Sequence, residues 1–355
     1  MFGSLVGEAG EMLMEDEAKN QRQARRNLRI RGLLKGRRDA AEDVLGPDTL
    51  GEVAPITDKL EPTPTKAQDE VSELPPWLVY RDEPSEVSLR LHEELLDFAA
   101  FMRPTIIESA ARDAWTHTLQ QAAVTLWPES RVHVFGSTAT KLNLPNADID
   151  VAIVNVEGLR ATTAMKKLAE LLLEREEVSK IEIIQSAKVP VMKVQHRNTG
   201  LMADIVVNRT DGLDTAQFIS EQMRLFPELS PLVLFLKLFL SQRNLHETFM
   251  GGMGSYVLVC VVLSFLQHHK SAQSAHLHSV TTLGNLLLDF FRYYGQEFRY
   301  AATGISVRDG GSLFDRAKRG WTATTRSGQA TLCLESPTEP SLDIGGRIFK
   351  PVGVK

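Results

Sequence analysis

The run Asp-Ile-Asp-Val-Ala-Ile-Val, residues 148–154, restricts the fold of this chain more than any other stretch. Its β-branched residues at alternate positions predict a strand, whose side chains point to opposite faces in turn. Ile149, Val151 and Ile153 then face a core, while Asp148 and Asp150 share the other face. Aspartate is disfavoured in strands, and two neighbouring carboxylates repel unless a cation lies between them. The pattern predicts a sheet with one face packed and the other at a cation site. Solvated edge residues are the competing reading for any one aspartate alone.

A third carboxylate, Asp204, lies in Leu-Met-Ala-Asp-Ile-Val-Val (201–207), after a turn expected at Asn198, Thr199 and Gly200. Three strand-borne carboxylates supply hard oxygen ligands and leave positions for water and phosphate. That suits Mg²⁺, with Mn²⁺ as a substitute, and two such ions can clamp the attacking and leaving oxygens of a nucleotidyl transfer. Upstream, Val-His-Val-Phe-Gly-Ser (132–137) reads as a strand running straight into Gly136 and Ser137. A glycine there lets backbone N–H groups approach a phosphate, and the serine hydroxyl can donate to it. Gly-Ser alone is a common turn; Gly-Ser, then Asp-x-Asp, then a distant strand aspartate is specific.

These motifs sit in an alternating stretch. Helices are expected over 89–101, ended by Pro104, and over 106–127, with a third over 162–174. Strands are expected at 132–135, 149–154, 181–184, 189–194 and 201–207, so the class is α+β with a mixed sheet. From Thr215 onward the pattern is helical, over 215–225, 231–243, 255–268 and 282–294. Residues 1–75 carry a basic stretch over 22–38 and a polar segment with Pro55, Pro62 and Pro64, and no packed core is expected there. The expected division is therefore a disordered segment over 1–75, a sheet domain over 76–214 whose first helix packs on the helical part, and a helical domain over 215–355.

With 43% apolar and 24% charged residues the 355-residue chain has the balance of a soluble globular protein, long enough for two cores. A formal net charge of −5 means that any nucleic acid contact must use a local basic patch or a partner. Cys260 and Cys333 lie in no metal-binding spacing. The first residues lack a basic start and an unbroken apolar run, so no signal peptide is read. The most apolar run, 256–266, has about half the length needed to span a bilayer and reads as a buried helix, with no membrane partner.

Between residues 75 and 349 the chain resembles the DNA polymerase β-like nucleotidyltransferases, and more closely the noncanonical poly(A) polymerases of the TRAMP complex. The resemblance is carried by Leu-His-Glu-Glu (91–94), Leu-Trp-Pro (126–128), Phe-Gly-Ser (135–137), Leu-Pro-Asn-Ala-Asp-Ile-Asp (144–150) and Phe-Met-Gly-Gly-Met-Gly-Ser-Tyr (249–256). It implies a polymerase β-like palm plus a helical poly(A) polymerase-associated domain, and AMP transfer from ATP to an RNA 3′ end. It assigns the metal to Asp148, Asp150 and Asp204 and the phosphates to Gly136 and Ser137. Lys237, which interrupts Leu-Val-Leu-Phe-Leu-Lys-Leu-Phe-Leu, matches a lysine on the triphosphate. Ser255 and Tyr256 match a helix start whose aromatic ring stacks on the base. Gly212 matches a position beside the sugar, though a turn glycine is its plainer reading.

The segment 334–345 resembles the family's nucleotide recognition segment and supplies Asp343, with two departures. Ser336 stands where aspartate is usual, and Leu342 where adenylyltransferases offer asparagine and many uridylyltransferases histidine. Leucine cannot hydrogen-bond a base edge, so a uridylyltransferase or a relaxed NTP transferase stands as the alternative, and a catalytically silent scaffold as a second. The chain also stops soon after this segment, where the family usually continues into a further helix, so a shortened chain is a further expectation. The resemblance further implies RNA surveillance, nuclear or more narrowly nucleolar localisation, and a zinc-knuckle RNA-binding protein and an RNA helicase as partners.

Overall fold

The computed structural model describes residues 75–79, 81, 86–145, 147–187, 189–248, 251–273, 282–325 and 328–348. The basic stretch over 22–38 and the proline-punctuated segment lie outside these residues, as do Asn146, Phe249 and Met250 of the motifs. The described residues from Arg81 onward belong to one compact unit.

Two helices lead in: α1 (Val87–Met102) and α2 (Ile106–Leu126). Thr105 caps α2 through a reciprocal pair, its hydroxyl accepting from Glu108 N–H while the Glu108 carboxylate accepts from Thr105 N–H. Then come β1 (Arg131–Phe135), the short α3 (Gly136–Ala139), β2 (Ile149–Val154), α4 (Ala161–Glu174), β3 (Val178–Ile184), β4 (Val191–His196) and β5 (Met202–Val207). The five strands form a mixed sheet in the order β1-β2-β5-β4-β3, in which β2 and β5 are parallel and every other pair is antiparallel.

One face of this sheet is dry. Ile149, Val151 and Ile153 of β2, Met192 and Val194 of β4, and Ala203 and Ile205 of β5 form one buried cluster with Trp115 and Leu119 of α2 and Met165, Leu168 and Leu172 of α4. The period-two pattern that buries these residues directs Asp150, Lys193 and Asp204 to the opposite face.

The remainder is α5 (Asp211–Leu225), α6 (Leu229–Gln242), α7 (Ser255–Gln273) and α8 (Leu283–Arg292), the last running into a π-helical turn (Tyr293–Glu297). Helix α1, first in the chain, packs here against α6 and α8, with Phe98 edge-on to Phe235 at 6.0 Å. Within α7 the run from Val257 to Phe265 is almost wholly buried, and no helix among the described residues is long and apolar enough to cross a membrane.

The structure corrects the sequence reading in several places. Helix α5 begins at Asp211, four residues before the expected start, because polar Asp211 and Asp214 occupy its first turn and hide the apolar period. Strand β3 begins at Val178, three residues early, and β4 at Val191, two residues late. Directly after β1, Gly136 and Ser137 open a short helix that the sequence reading did not include. The C-terminal part is not helical throughout: a hairpin of β6 (Thr303–Ser306) and β7 (Ser312–Asp315) follows the π turn. Isolated bridges then tie Leu334 to Ile305 and Glu335 to Asp343. Short strands of four residues carry too little period to be read.

Candidate active site

Strand register brings the aspartates together. Asp150 of β2 lies beside Asp204 of the parallel β5, and Asp148 stands one residue before β2. On the other side of Asp150 its partner across β1 is Phe135, the residue that leads into Gly136. The Asp150 carboxyl is pushed up to about 6, first by burial and then by the charges of Asp204 and Asp148; the Ser137 backbone N–H and Lys237 pull the other way. A carboxyl so crowded favours a bound cation or a proton over a free charge.

Gly136 adopts a φ of +61°, and a methyl group on it would collide with Asp150 Oδ2. Glycine is thus required twice over, for the left-handed backbone and for the close approach that lets Ser137 N–H reach the carboxylate. Gly212 is required for space. It lies in the first turn of α5, not in a loop, and a side chain there would strike the Phe135 ring.

Lys237 reaches from α6 to donate to the Leu142 carbonyl at 2.6 Å, on the loop that follows α3. Burial pushes its pKa down to about 8, with Asp150 acting in the opposite direction. A lysine on an otherwise apolar helix is thereby held at the aspartate cluster.

Ser255 opens α7 and is exposed. Beside it the Tyr256 hydroxyl is buried near the hydroxyls of Thr215, Ser336 and Thr338, yet forms no well-aligned hydrogen bond among the described residues. Burial pushes that phenol up to about 12. Thr215 lies one turn along α5 from Gly212, so the tyrosine, the Phe135 ring and Asp150 are joined through one helix.

Asp343 plays a local role. Its Oδ1 accepts from Leu334 N–H at 3.0 Å and Gly345 N–H at 2.8 Å, pinning the 334–345 segment into a closed loop. Ser336 likewise accepts from Glu339 N–H at 3.2 Å. Leu342 is 37% exposed.

Sequence reasoning missed two cations here. Lys193 of β4 is the register partner of Asp204, and its Nζ lies 3.0 and 2.7 Å from the two Asp204 oxygens and 3.7 Å from Asp148 Oδ2. Burial opposes its charge, but Asp204 and Asp148 hold its pKa above the ordinary lysine value. Alternation with Met192 and Val194 placed Lys193 opposite the core; nothing in the sequence gave its register. Arg112 of α2, only 7% exposed, donates to the Ala147 carbonyl at 2.9 Å and braces the residue before Asp148.

Among the described residues no three acidic, histidine or cysteine side chains converge closely enough to hold an ion as they stand, and Asp204 is paired with Lys193. The donor set nonetheless fits a hard divalent cation. It consists of carboxylates alone, one of them pushed up by burial and then by its two neighbours, with a positive side chain already drawn between the other two.

Comparison with known proteins shows the family to which this fold belongs. Residues 91–221 match the family described as poly(A) RNA polymerase, mitochondrial-like, central palm domain, and residues 282–342 match the Cid1 family poly A polymerase. Poly(A) RNA polymerase cid14 of Schizosaccharomyces pombe is 38% identical over 69% of this chain and 36% of its own length. Poly(A) RNA polymerase protein 2 of Saccharomyces cerevisiae is 31% identical over 79% of this chain and 48% of its own. The inactive noncanonical poly(A) RNA polymerase Trf4-2 of Drosophila melanogaster is 32% identical over 81% of this chain and 71% of its own. The chain thus spans between a third and a half of the length of the first two. Among solved structures, the polymerase core of TRAMP, an RNA surveillance complex, superposes with a TM-score of 0.67 at 30% identity, covering 75% of this chain and 83% of that one.

Proposed function

The chain belongs to the noncanonical poly(A) RNA polymerase family, and from that premise we propose that it is a template-independent adenylyltransferase of RNA 3′ ends. The observation that carries this reading is the register pairing of Asp150 with Asp204 on the open face of the sheet, beside Gly136 and Ser137.

In this reading Asp148, Asp150 and Asp204 would hold two Mg²⁺ ions. When bound, the ions lower the pKa of the RNA 3′ hydroxyl and neutralise charge on the departing pyrophosphate. The chain's own residues do the rest. The backbone at Gly136 and Ser137 approaches the phosphates, where no side chain blocks it. Lys237 supplies a positive charge to the triphosphate, and the ring of Tyr256 provides a face for the base. In this reading the Asp204 carboxylate takes the proton of the 3′ hydroxyl as the hydroxyl oxygen bonds to the α-phosphorus and the bond to the departing pyrophosphate breaks. Asp204→Ala is expected to lose transfer by about a hundredfold or more while keeping its thermal midpoint near that of the parent. Near-normal activity in that variant would remove Asp204 from the mechanism.

Leu342 supports a second reading, relaxed nucleotide choice. An aliphatic side chain leaves the base edge without a hydrogen-bond partner, and discrimination rests on such partners. Incorporation of each NTP singly distinguishes strict adenylation from a mixed transferase or a uridylyltransferase. The inactive Drosophila relative supports a silent scaffold as a third reading, and the presence of Asp148, Asp150 and Asp204 in this chain speaks against it.

Likeness to the TRAMP polymerase core supports RNA surveillance as the setting, with RNA and nucleotide as ligands. A zinc-knuckle RNA-binding protein and a helicase as partners, and a nuclear or nucleolar place of work, extend this proposal. Pulldown of the tagged full chain from nuclear extract, followed by identification of bound proteins, tests those points. Recovery of neither partner would count against them.

A further inference from the structure

We propose that Lys193 is an internal counter-ion that competes with the divalent cation for Asp204, and so sets how much cation the site requires, which rests on the metal-dependent reading of the site given above.

The sheet places the competitors in one row. Phe135, Asp150, Asp204, Lys193 and Glu182 are successive register partners across β1, β2, β5, β4 and β3. The Lys193 ammonium contacts both oxygens of Asp204 and lies within 4 Å of Asp148. A divalent cation seeks the same oxygens, and two positive charges at that separation repel. Any ion that uses Asp204 must therefore share it with Lys193 or turn the lysine away.

The row also offers the lysine somewhere to go. Glu182, next to it on β3, is exposed and carries a second carboxylate on the far side from Asp204. The other cations around the cluster compete less directly. Lys237 donates to Leu142 O and Arg112 to Ala147 O, so both are held by backbone carbonyls.

The test is equilibrium binding of Mn²⁺ alone, followed by electron paramagnetic resonance, to the full chain without nucleotide. Parent, Lys193→Met, Lys193→Gln, Lys193→Arg and the double variant Asp148→Ala/Asp150→Ala are compared, each checked for its far-ultraviolet circular dichroism. The two neutral variants should bind Mn²⁺ roughly tenfold more tightly or better, since a unit charge within a few ångströms of the ion has gone. Lys193→Arg should stay near the parent. Affinity that is unchanged, lower or unmeasurable in both folded neutral variants overturns the competition. Mn²⁺ binding that survives unchanged in the double variant would instead overturn the metal reading on which the inference rests, so the two failures are distinguishable.

Discussion

At the scale of single residues, the aspartates were legible because carboxylates at period two in an apolar strand repel each other and so call for a cation. Lys193 and Arg112 were not, because their roles depend on register and on a helix crossing that no local pattern encodes. Gly136 was legible as a residue, but its reason became visible only with Asp150 beneath it. Gly136→Ala should therefore cost about 1–3 kcal/mol in stability, from backbone strain alone, and lower transfer by roughly a hundredfold, since the Asp150 carboxylate must move. Thermal melts and initial rates check both; an active, equally stable variant would contradict the close approach. Tyr256 gives a contrasting pair. Its hydroxyl is buried without a well-made hydrogen bond, so Tyr256→Phe should keep or slightly raise the melting point. Tyr256→Ala should raise the KM for nucleotide by about tenfold through loss of the stacking face. A Tyr256→Phe variant that melts several degrees lower would show that the hydroxyl is satisfied after all.

At the scale of elements, long helices and the strands of the sheet were legible from their periods. The β6–β7 hairpin was not, because its four-residue strands sit between an aromatic-rich helix end and a loop. Helix α6 carries a pH dependence. The Lys237 pKa falls from 10.5 in the unfolded chain to about 8 in the fold. Between those values the unfolded state binds the extra proton, so this group's contribution makes stability rise with pH over that window and stay flat below it. Lys237→Met should remove that rise in denaturant titrations; an identical profile would contradict the buried lysine. The same titration predicts that the KM for ATP increases between about pH 7 and pH 9 in the parent and stays flat in Lys237→Arg, whose guanidinium remains charged. The loop 334–345 holds the other element-scale test. Leu342→His should shift single-nucleotide incorporation towards UTP and Leu342→Asn towards ATP, each by several-fold; no shift in either would take this position out of base selection.

At the scale of the whole molecule, the α+β architecture followed from sequence because strand periods gather over 132–207 while helical periods dominate from Thr215 onward. The first helix was expected on the helical part, and α1, although it precedes the sheet in the chain, packs against α6 and α8, where its apolar face through Leu95, Phe98 and Met102 is buried. The site was less legible, because its parts lie on β2, β5, α3, α5, α6 and α7 and meet only in three dimensions. That these parts make an RNA 3′-end adenylyltransferase is tested most directly by extension of a labelled oligo(A) RNA by the purified chain. Mg²⁺ is present, each NTP is supplied separately, and Asp148→Ala/Asp150→Ala is run alongside. A growing ladder with ATP is expected, and none from the folded double variant. A folded parent chain that extends RNA with no NTP, or a double variant that extends it equally well, would contradict the assignment.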